Sequence, residues 1–179
     1  MKKITLIILL VFIVKSFFAQ DKGECISGDC ENGRGVYKTW MGYTYTGYFK
    51  NGKYNGPGFY DMLEGNYYEG GFKDGKFDGY GIRVHSATAC GMVSYLGFWK
   101  NGRKHGFGVE TIKWKTYTGY FDDCYKNGEF KVVEFDAIKK MVYIKTGTFV
   151  ENKEEGEFKV VDSNGKHYTE YYIHTIKQK

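Results

Sequence analysis

Cysteine and histidine are the side chains of this sequence best suited to nucleophilic or acid–base chemistry. His85 and Cys90 lie five positions apart in one short segment, and an imidazole beside a thiol can generate a reactive thiolate. This spacing matches no known nucleophile signature. His105 precedes a recurring glycine, at a position that Asn55 and Asp78 occupy elsewhere, which indicates a polar turn residue. The sequence therefore predicts no catalytic residues.

The cysteine spacing favours a disulfide over a metal site. Cys25 and Cys30 lie close enough in sequence for a local disulfide that would hold the N-terminal end of the fold. Cys90 and Cys124 stay unassigned, because spacing alone does not establish the geometry that a second disulfide needs. The sequence contains neither a Cys-x-x-Cys pair nor clustered histidines, so it predicts no metal. Its glycines do not form a phosphate-binding loop, so it predicts no cofactor.

Glycine and aromatic residues recur with a period of 23 residues. Segments 45–58, 68–81 and 95–108 share the pattern Y-x-G-x-(F/W)-x-(N/D)-G-(K/R)-x-x-G-x-G, the third copy after a four-residue insertion. A fixed period of this length indicates a stacked array, in which each unit buries its apolar face against its neighbours. The predicted repeat core consists of Tyr45, Gly47, Phe49, Tyr68, Gly70, Phe72, Tyr95, Gly97 and Trp99.

The centre of each repeat predicts a β-hairpin. Asn51-Gly52 and its counterparts are typical of type I′ turns, which need positive φ at both central positions. Pro57 stands where the other repeats carry an aromatic residue, and it predicts a local bulge. A regular ladder from the turn predicts the pairs Lys50–Lys53, Phe49–Tyr54, Gly47–Gly56 and Tyr45–Gly58. Aromatic rings would then share one face with glycines, which leave room for them.

The repeating unit resembles the MORN repeat, a short β-hairpin unit that occurs in tandem. More divergent copies cover residues 25–37, 117–130, 145–158 and 165–179. The resemblance implies an all-β fold over residues 21–179: an elongated, single-layer antiparallel sheet of stacked β-hairpins. It also implies a role in protein–protein association, often as dimers, with a link to membrane surfaces in some members.

Residues 1–20 predict a secretory signal peptide. Two lysines precede an apolar run from Ile4 to Val14, and polar sequence follows Gln20. The apolar run is about half the ~20 residues that a membrane-spanning helix needs. Lys15 interrupts it and Phe17 stands where a small residue is preferred, so an uncleaved N-terminal anchor is the alternative.

Removal of this segment leaves a nearly neutral chain. Residues 1–20 hold three of the 26 basic residues and no acidic one, so 23 basic and 21 acidic residues remain, a net charge of +2. Bulk charge therefore does not predict a nucleic-acid partner.

Two surfaces are candidates for binding. The turns would line one side of the sheet, here called the turn edge, and its N-terminal part is basic. Windows 50–55, 73–78 and 100–105 carry charges of +2, 0 and +3, whereas 122–127 and 150–155 carry −1 and −2. The predicted contact residues are Lys50, Lys53, Lys73, Lys76, Lys100, Arg103 and Lys104. The alternative is that charged turns only keep the sheet soluble.

The other candidate surface is the face opposite the core, here called the second face. Strand alternation assigns to it Tyr43, Tyr48, Tyr67, Phe98 and Tyr120. These rings would contact a peptide, a sugar chain or a second copy of the sheet. The alternative is that they cover the glycine-rich backbone of their own array.

The sequence thus predicts an exported, non-enzymatic repeat protein that acts as an interaction or scaffold module in the cell envelope. It would be periplasmic, associated with the outer envelope or secreted, and its partner would be another protein or a second copy of itself. The alternative function is binding of anionic lipid head groups or envelope glycan through the turn edge or the second face. A third hypothesis is an envelope enzyme with a site in the insertion Ala87–Val93.

Overall fold

The computed structural model describes residues 23–88 and 91–178. The predicted signal peptide and Cys90 lie outside the described residues.

Within these ranges the chain is all-β, and fourteen strands form one open antiparallel sheet in which each strand pairs with the next. The predicted fold class is confirmed. The strands are β1 Glu24–Gly28, β2 Arg34–Lys38, β3 Thr44–Lys50, β4 Lys53–Asp61, β5 Tyr67–Lys73, β6 Lys76–Thr88, β7 Gly91–Lys100, β8 Arg103–Ile112, β9 Lys115–Asp122, β10 Tyr125–Asp136, β11 Met141–Val150, β12 Lys153–Asp162, β13 His167–Ile173 and β14 Ile176–Lys177.

Two-residue type I′ turns close the hairpins along the turn edge, as the Asn-Gly and Asp-Gly pairs predict. Asn51 and Gly52 have φ values of 51° and 68°. The degenerate hairpins keep this geometry without glycine. Cys124, Asn152 and Thr175 occupy the second turn position with φ values of 74°, 71° and 73°.

The predicted register is wrong beyond the first two pairs of the hairpin. Gly47 pairs with Gly58 and not with Gly56. Tyr45 consequently pairs with Tyr60. The returning strand bulges at Gly56, whose φ of 77° lies in the left-handed region. The shift is two residues, so Gly58 still shares a face with Tyr45 and Gly47, because side chains alternate with a period of two. Gly56 does not share that face, since a Cβ added there would lie 3.6 Å from the Cβ of Tyr48.

Pro57 is not the cause of this bulge. The next two hairpins shift register at the same point, opposite Gly79 and Gly106, and neither contains proline. These glycines also have positive φ, 89° and 71°. The recurring glycine therefore produces the bulge, and Pro57 pairs with Gly71 of the neighbouring strand.

Buried tyrosine rings lie across paired glycines on the core side of the sheet, here called the ring face. Tyr45 is fully buried, and a Cβ added to Gly47 would lie 2.4 Å from its hydroxyl oxygen. A Cβ added to Gly58 would lie 2.5 Å from the same ring. The two glycines thus provide the space that the ring fills. The equivalent groups are Tyr68 with Gly70 and Gly81, and Tyr95 with Gly97 and Gly108.

The hydroxyl of each of these tyrosines donates a hydrogen bond within its own strand. Tyr45 donates to the carbonyl of Tyr48 at 2.9 Å, and Tyr68 and Tyr95 make equivalent bonds. Burial raises the pKa of Tyr45 to about 12, so the phenol stays a neutral donor. Packing against the glycines therefore fixes the ring, and the hydrogen bond fixes its hydroxyl group.

Edge-to-face contacts join each repeat to the next. The ring centroids of Tyr45 and Phe72 lie 4.9 Å apart, and those of Tyr68 and Trp99 lie 5.5 Å apart. Such pairs contribute about 0.5–1.5 kcal/mol each beyond area burial. The series continues through Tyr95, Phe121, Phe130, Phe149, Phe158 and Tyr172, with centroid separations from 5.0 to 5.7 Å.

In the degenerate repeats the covering ring comes from the opposite strand. Phe130 replaces the second glycine of the pair and covers Gly119, where an added Cβ would lie 2.7 Å from the phenylalanine ring. Phe158 covers Gly147 in the same way. The hairpins from β3 to β12 thus keep one ring over glycine, although the strand that supplies the ring changes.

Backbone hydrogen bonds reinforce the stacking at the turn edge. The second turn residue donates its N–H to a carbonyl of the preceding hairpin. Gly75 donates to Tyr54 at 2.9 Å, and Gly102 donates to Phe77 at 2.8 Å. The degenerate turns at Cys124, Asn152 and Thr175 make equivalent bonds.

We predict that Gly47→Ala destabilises the chain far more than Gly75→Ala. The Cβ at residue 47 would meet the Tyr45 hydroxyl at 2.4 Å and the Gly58 Cα at 2.8 Å, whereas nothing lies within 4 Å of a Cβ at residue 75. The expected costs are about 3 kcal/mol for overpacking at residue 47 and about 1 kcal/mol for positive φ at residue 75. Urea unfolding followed by circular dichroism measures both, and equal losses would contradict the packing.

We also predict that Cys124→Gly stabilises the chain. Cys124 has a φ of 74°, which costs a residue with a side chain about 1 kcal/mol relative to glycine. Cys124→Ala is the matched control, because it removes the thiol and keeps the side-chain carbon. In urea unfolding the glycine variant should be the more stable of the two by roughly 0.5–1 kcal/mol. A glycine variant no more stable than the alanine variant would show that the turn is unstrained.

Candidate functional site

The structure brings two of the described histidines close to carboxylates. No group of three or more His, Cys, Asp or Glu side chains among the described residues is placed to hold a metal ion. His105 Nδ1 lies 3.3 Å from an Asp122 carboxylate oxygen, and His174 Nδ1 lies 3.2 Å from one of Glu155. Both imidazoles thus have a carboxylate neighbour at the surface of the turn edge.

A disulfide stabilises the N-terminal end of the array. Cys25 and Cys30 form a disulfide with a Cα–Cα distance of 6.0 Å, and it links β1 to the segment that leads into β2. Cys30 also packs against the aromatic core. Cys124 is the free cysteine of the described residues.

The structure divides the basic residues predicted at the turn edge into two groups. Arg103 pairs with Asp123, and the ammonium of Lys104 turns to the ring face, where it pairs with Glu110. The remaining five are exposed and form no ion pair with any residue in the described ranges: Lys50, Lys53, Lys73, Lys76 and Lys100.

A cleft of about 500 Å³ lies between the third and fourth turns of the turn edge. Lys76, Lys100 and Arg103 line it together with Asp122 and Asp123. The acidic fourth turn thus compensates the basic third turn, and the exposed positive charge is concentrated nearer the N-terminal end.

The second face carries a row of half-exposed rings across β6 to β9. Tyr80 and Phe98 form a cross-strand pair with centroids 5.4 Å apart, and Phe107 and Tyr120 form another at 5.5 Å. Their exposed fractions lie between 46% and 64%. The next row toward the middle of the sheet is aliphatic and consists of Ile82, Leu96 and Val109. These rows form one apolar patch.

Two of the tyrosines assigned to the second face contribute less than expected. Tyr43 precedes β3 and its ring contacts Tyr60, which packs against the core, at 6.1 Å. Tyr43 therefore lies on the ring face, and its assignment was wrong. Tyr67 is half-buried against Phe59, at 5.6 Å. Tyr48 remains half-exposed, beside the bulge glycine Gly56.

Sequence reasoning missed a network of charges on the ring face. Glu110 is 4% exposed and pairs with Lys104 and with Lys126, whose Nζ lies 2.6 Å from the carboxylate. Burial opposes ionisation of Glu110, but the two ammonium groups outweigh it and lower the pKa. Only the correct register would have revealed Glu110, because the bulge sets it opposite Tyr95.

A second ionic cluster closes the C-terminal end. Glu170 is 6% exposed, lies 3.2 Å from Lys145 and 2.6 Å from Lys177, and accepts a hydrogen bond from the Tyr172 hydroxyl. Burial again opposes ionisation, but these partners lower the pKa of Glu170 to about 2. Lys145 also pairs with Glu134, at 3.3 Å. Polar side chains thus pack beside Tyr172, the last ring of the aromatic series.

Comparison with known families agrees with this geometry. The family model of the MORN repeat matches residues 45–62, 68–86 and 95–116, which correspond to the hairpins β3–β4, β5–β6 and β7–β8. The chain is a MORN-repeat protein. No curated protein matches it. In this MORN-repeat protein, further hairpins extend the sheet from β9 to β14, beyond the matched segments. No helix among the described residues is long and apolar enough to cross a membrane.

We predict that Glu170 makes the stability of this MORN-repeat protein depend on acid pH. Its folded pKa of about 2 lies below the unfolded value of about 4.3. The resulting stabilisation is complete above pH 5 and is lost as the pH falls toward 2. After allowance for solvent screening it amounts to about 1–2 kcal/mol.

Glu170→Gln should therefore lower stability at pH 7 and flatten the loss of stability between pH 5 and pH 2. Urea unfolding at a series of pH values measures both effects. Glu69→Gln is the control, because Glu69 is exposed and forms no ion pair within the described part of the chain. A Glu170→Gln chain with the pH profile of the unsubstituted protein would contradict the prediction.

Proposed function

We propose that this MORN-repeat protein is an exported, non-enzymatic interaction or scaffold module of the cell envelope, and that it binds a protein partner through its second face. MORN repeats indicate a repeat-based binding module. The observation that carries the proposal is the row of half-exposed rings on the second face: Tyr80, Phe98, Phe107 and Tyr120.

The chemistry of this patch suits a protein partner. Aromatic side chains dominate the binding energy of protein interfaces, where they fill desolvated pockets inside a polar rim. The aliphatic row Ile82, Leu96 and Val109 extends the rings, and Glu69 and Thr118 border it on neighbouring strands. The sheet is one layer thick, so nothing within the described residues covers this patch.

Two observations support export. Residues 1–20 have the sequence of a signal peptide. The Cys25–Cys30 disulfide suits an oxidising compartment, because cytosolic reductants keep such thiols reduced. Expression of the full chain should therefore yield a product in the periplasm or medium whose intact mass lacks these residues. A full-length reduced product in the cytosol would contradict export.

The test of the second face compares two substituted chains. One carries Phe98→Ser, Phe107→Ser and Tyr120→Ser, and the other carries Trp114→Ser, which removes a 66% exposed ring at a different place. Light scattering measures self-association. Cross-linking in envelope extract identifies a partner protein, and reconstitution with that purified partner measures binding. We expect the triple substitution to abolish binding and Trp114→Ser to leave it unchanged.

The outcomes separate the candidate partners. A dimer that the triple substitution dissociates would identify the partner as a second copy of the chain. Reconstituted binding of a different protein, lost in the same variant, would identify a heterologous partner. Binding that survives the triple substitution would overturn the assignment to the second face.

A second candidate function is binding of anionic lipid head groups or envelope glycan through the turn edge. The five exposed lysines without an ion-pair partner in the described residues favour it. Salt-sensitive binding to vesicles with anionic lipid, or to acidic polysaccharide, would support it if Lys50→Glu and Lys100→Glu abolish the binding. Binding that is independent of salt and of these charges would count against it.

A further inference from the structure

A cavity of about 250 Å³ lies on the ring face between the second and third clear repeats. Tyr95 and Trp99 form its aromatic wall. Its other ionisable lining side chains are those of Arg83, His85, Lys104, Glu110 and Cys124. The cavity is separate from the second face and from the exposed lysines of the turn edge, so it does not depend on either proposed surface.

Arg83 has no acidic partner among the described residues. Its guanidinium carbon lies 5.6 Å from the centroid of the Phe77 ring, and its buried Nε has no hydrogen-bond partner in the described part of the chain. Buried polar groups are almost always hydrogen-bonded, so an unsatisfied guanidinium N–H is exceptional. Burial lowers the pKa of Arg83, but a guanidinium remains charged at neutral pH.

The neighbouring charges do not neutralise Arg83. Strand pairing places Arg83 on one side of Tyr95 and Glu110 on the other. Glu110 is already paired with two ammonium groups, those of Lys104 and Lys126. Burial and the charge of Arg83 both lower the pKa of His85. This part of the ring face therefore has an excess of positive charge, because Arg83, Lys104 and Lys126 lie around the single carboxylate of Glu110 among the described residues.

A guanidinium offers parallel N–H groups that match the two oxygens of a carboxylate or a phosphate. The Glu110 carboxylate in the same cavity disfavours a dianionic phosphate, whereas the rings of Tyr95 and Trp99 suit an apolar body. We propose that the cavity binds a monocarboxylate with an aromatic or other apolar body. The carboxylate would accept hydrogen bonds from Arg83, and the body would pack against Tyr95 and Trp99.

Trp99 provides a direct readout of binding. The sequence contains three tryptophans, and the other two, Trp40 and Trp114, are 62% and 66% exposed. A full-length chain with Trp40→Phe and Trp114→Phe therefore leaves Trp99 as its single tryptophan. Its fluorescence is titrated with benzoate, with benzamide as the neutral analogue, and with inorganic phosphate. Two further probes are N-acetylated peptides of the same sequence with a C-terminal phenylalanine. One peptide ends in the free carboxylate and the other ends in the neutral amide.

We expect saturable binding of benzoate in about the millimolar range, as befits so small a ligand, and no binding of benzamide. Arg83→Gln should lower the affinity for benzoate by about tenfold or more. Arg83→Lys should also lower it, because an ammonium group lacks the two parallel N–H donors of the guanidinium. Arg103→Gln, at the turn edge, should leave the affinity unchanged. Tighter binding of the peptide carboxylate than of benzoate would indicate that the natural carboxylate is a protein C-terminus. Tighter binding of benzoate would indicate that it belongs to a small molecule.

Three results would overturn the proposal. The first is a Trp99 signal that does not saturate with either carboxylate. The second is equal binding of benzoate and benzamide, or benzoate binding that survives in a folded Arg83→Lys chain at full strength. The third is tighter binding of phosphate than of benzoate, which would assign the cavity to a different class of anion.

Discussion

The structure depends on one contact, an aromatic ring lying flat on a pair of glycines from adjacent strands. The Tyr45 ring occupies the space that side chains at Gly47 and Gly58 would need, so the core of each repeat is built within a single hairpin. Ring edges then meet the next hairpin, as between Tyr45 and Phe72. Because the core contacts of the described strands lie on one face of a single layer, the other face of these strands remains open.

The turn dipeptides predicted the hairpins, because turn geometry is local, and the period together with the resemblance to the MORN repeat predicted how the hairpins stack. The register was not predictable by counting from the turn, since a count assumes an uninterrupted ladder. Gly56 adopts positive φ and bulges the returning strand, which moves Gly58 opposite Gly47. Tyr43 was misassigned because it lies two residues before Tyr45, and alternation keeps side chains two residues apart on the same face. Its contact with Tyr60 agrees with that position.

The charges of the ring face were beyond sequence reasoning, because their partners come from neighbouring strands and repeats. Lys104 belongs by sequence to a basic turn, yet it pairs with Glu110 on the ring face. Arg83 and Glu110 occupy equivalent places in consecutive repeats. Only their spatial neighbours show that Glu110 is paired, whereas Arg83 has no acidic partner among the described residues. Repeats with similar backbones can therefore carry different side-chain chemistry. In this chain the second face, the turn edge and the cavity beside Arg83 are three separate surfaces.

A double-mutant cycle at residues 45 and 58 tests most directly whether one ring must fill each glycine pair. In the degenerate repeats Phe130 supplies that ring from the position equivalent to Gly58. Gly58→Phe alone should be strongly destabilising in urea unfolding, since the Tyr45 ring already fills the space. In combination with Tyr45→Ala it should recover most of the loss, with a coupling energy of about 2 kcal/mol or more. Additive effects of the two substitutions would contradict the account.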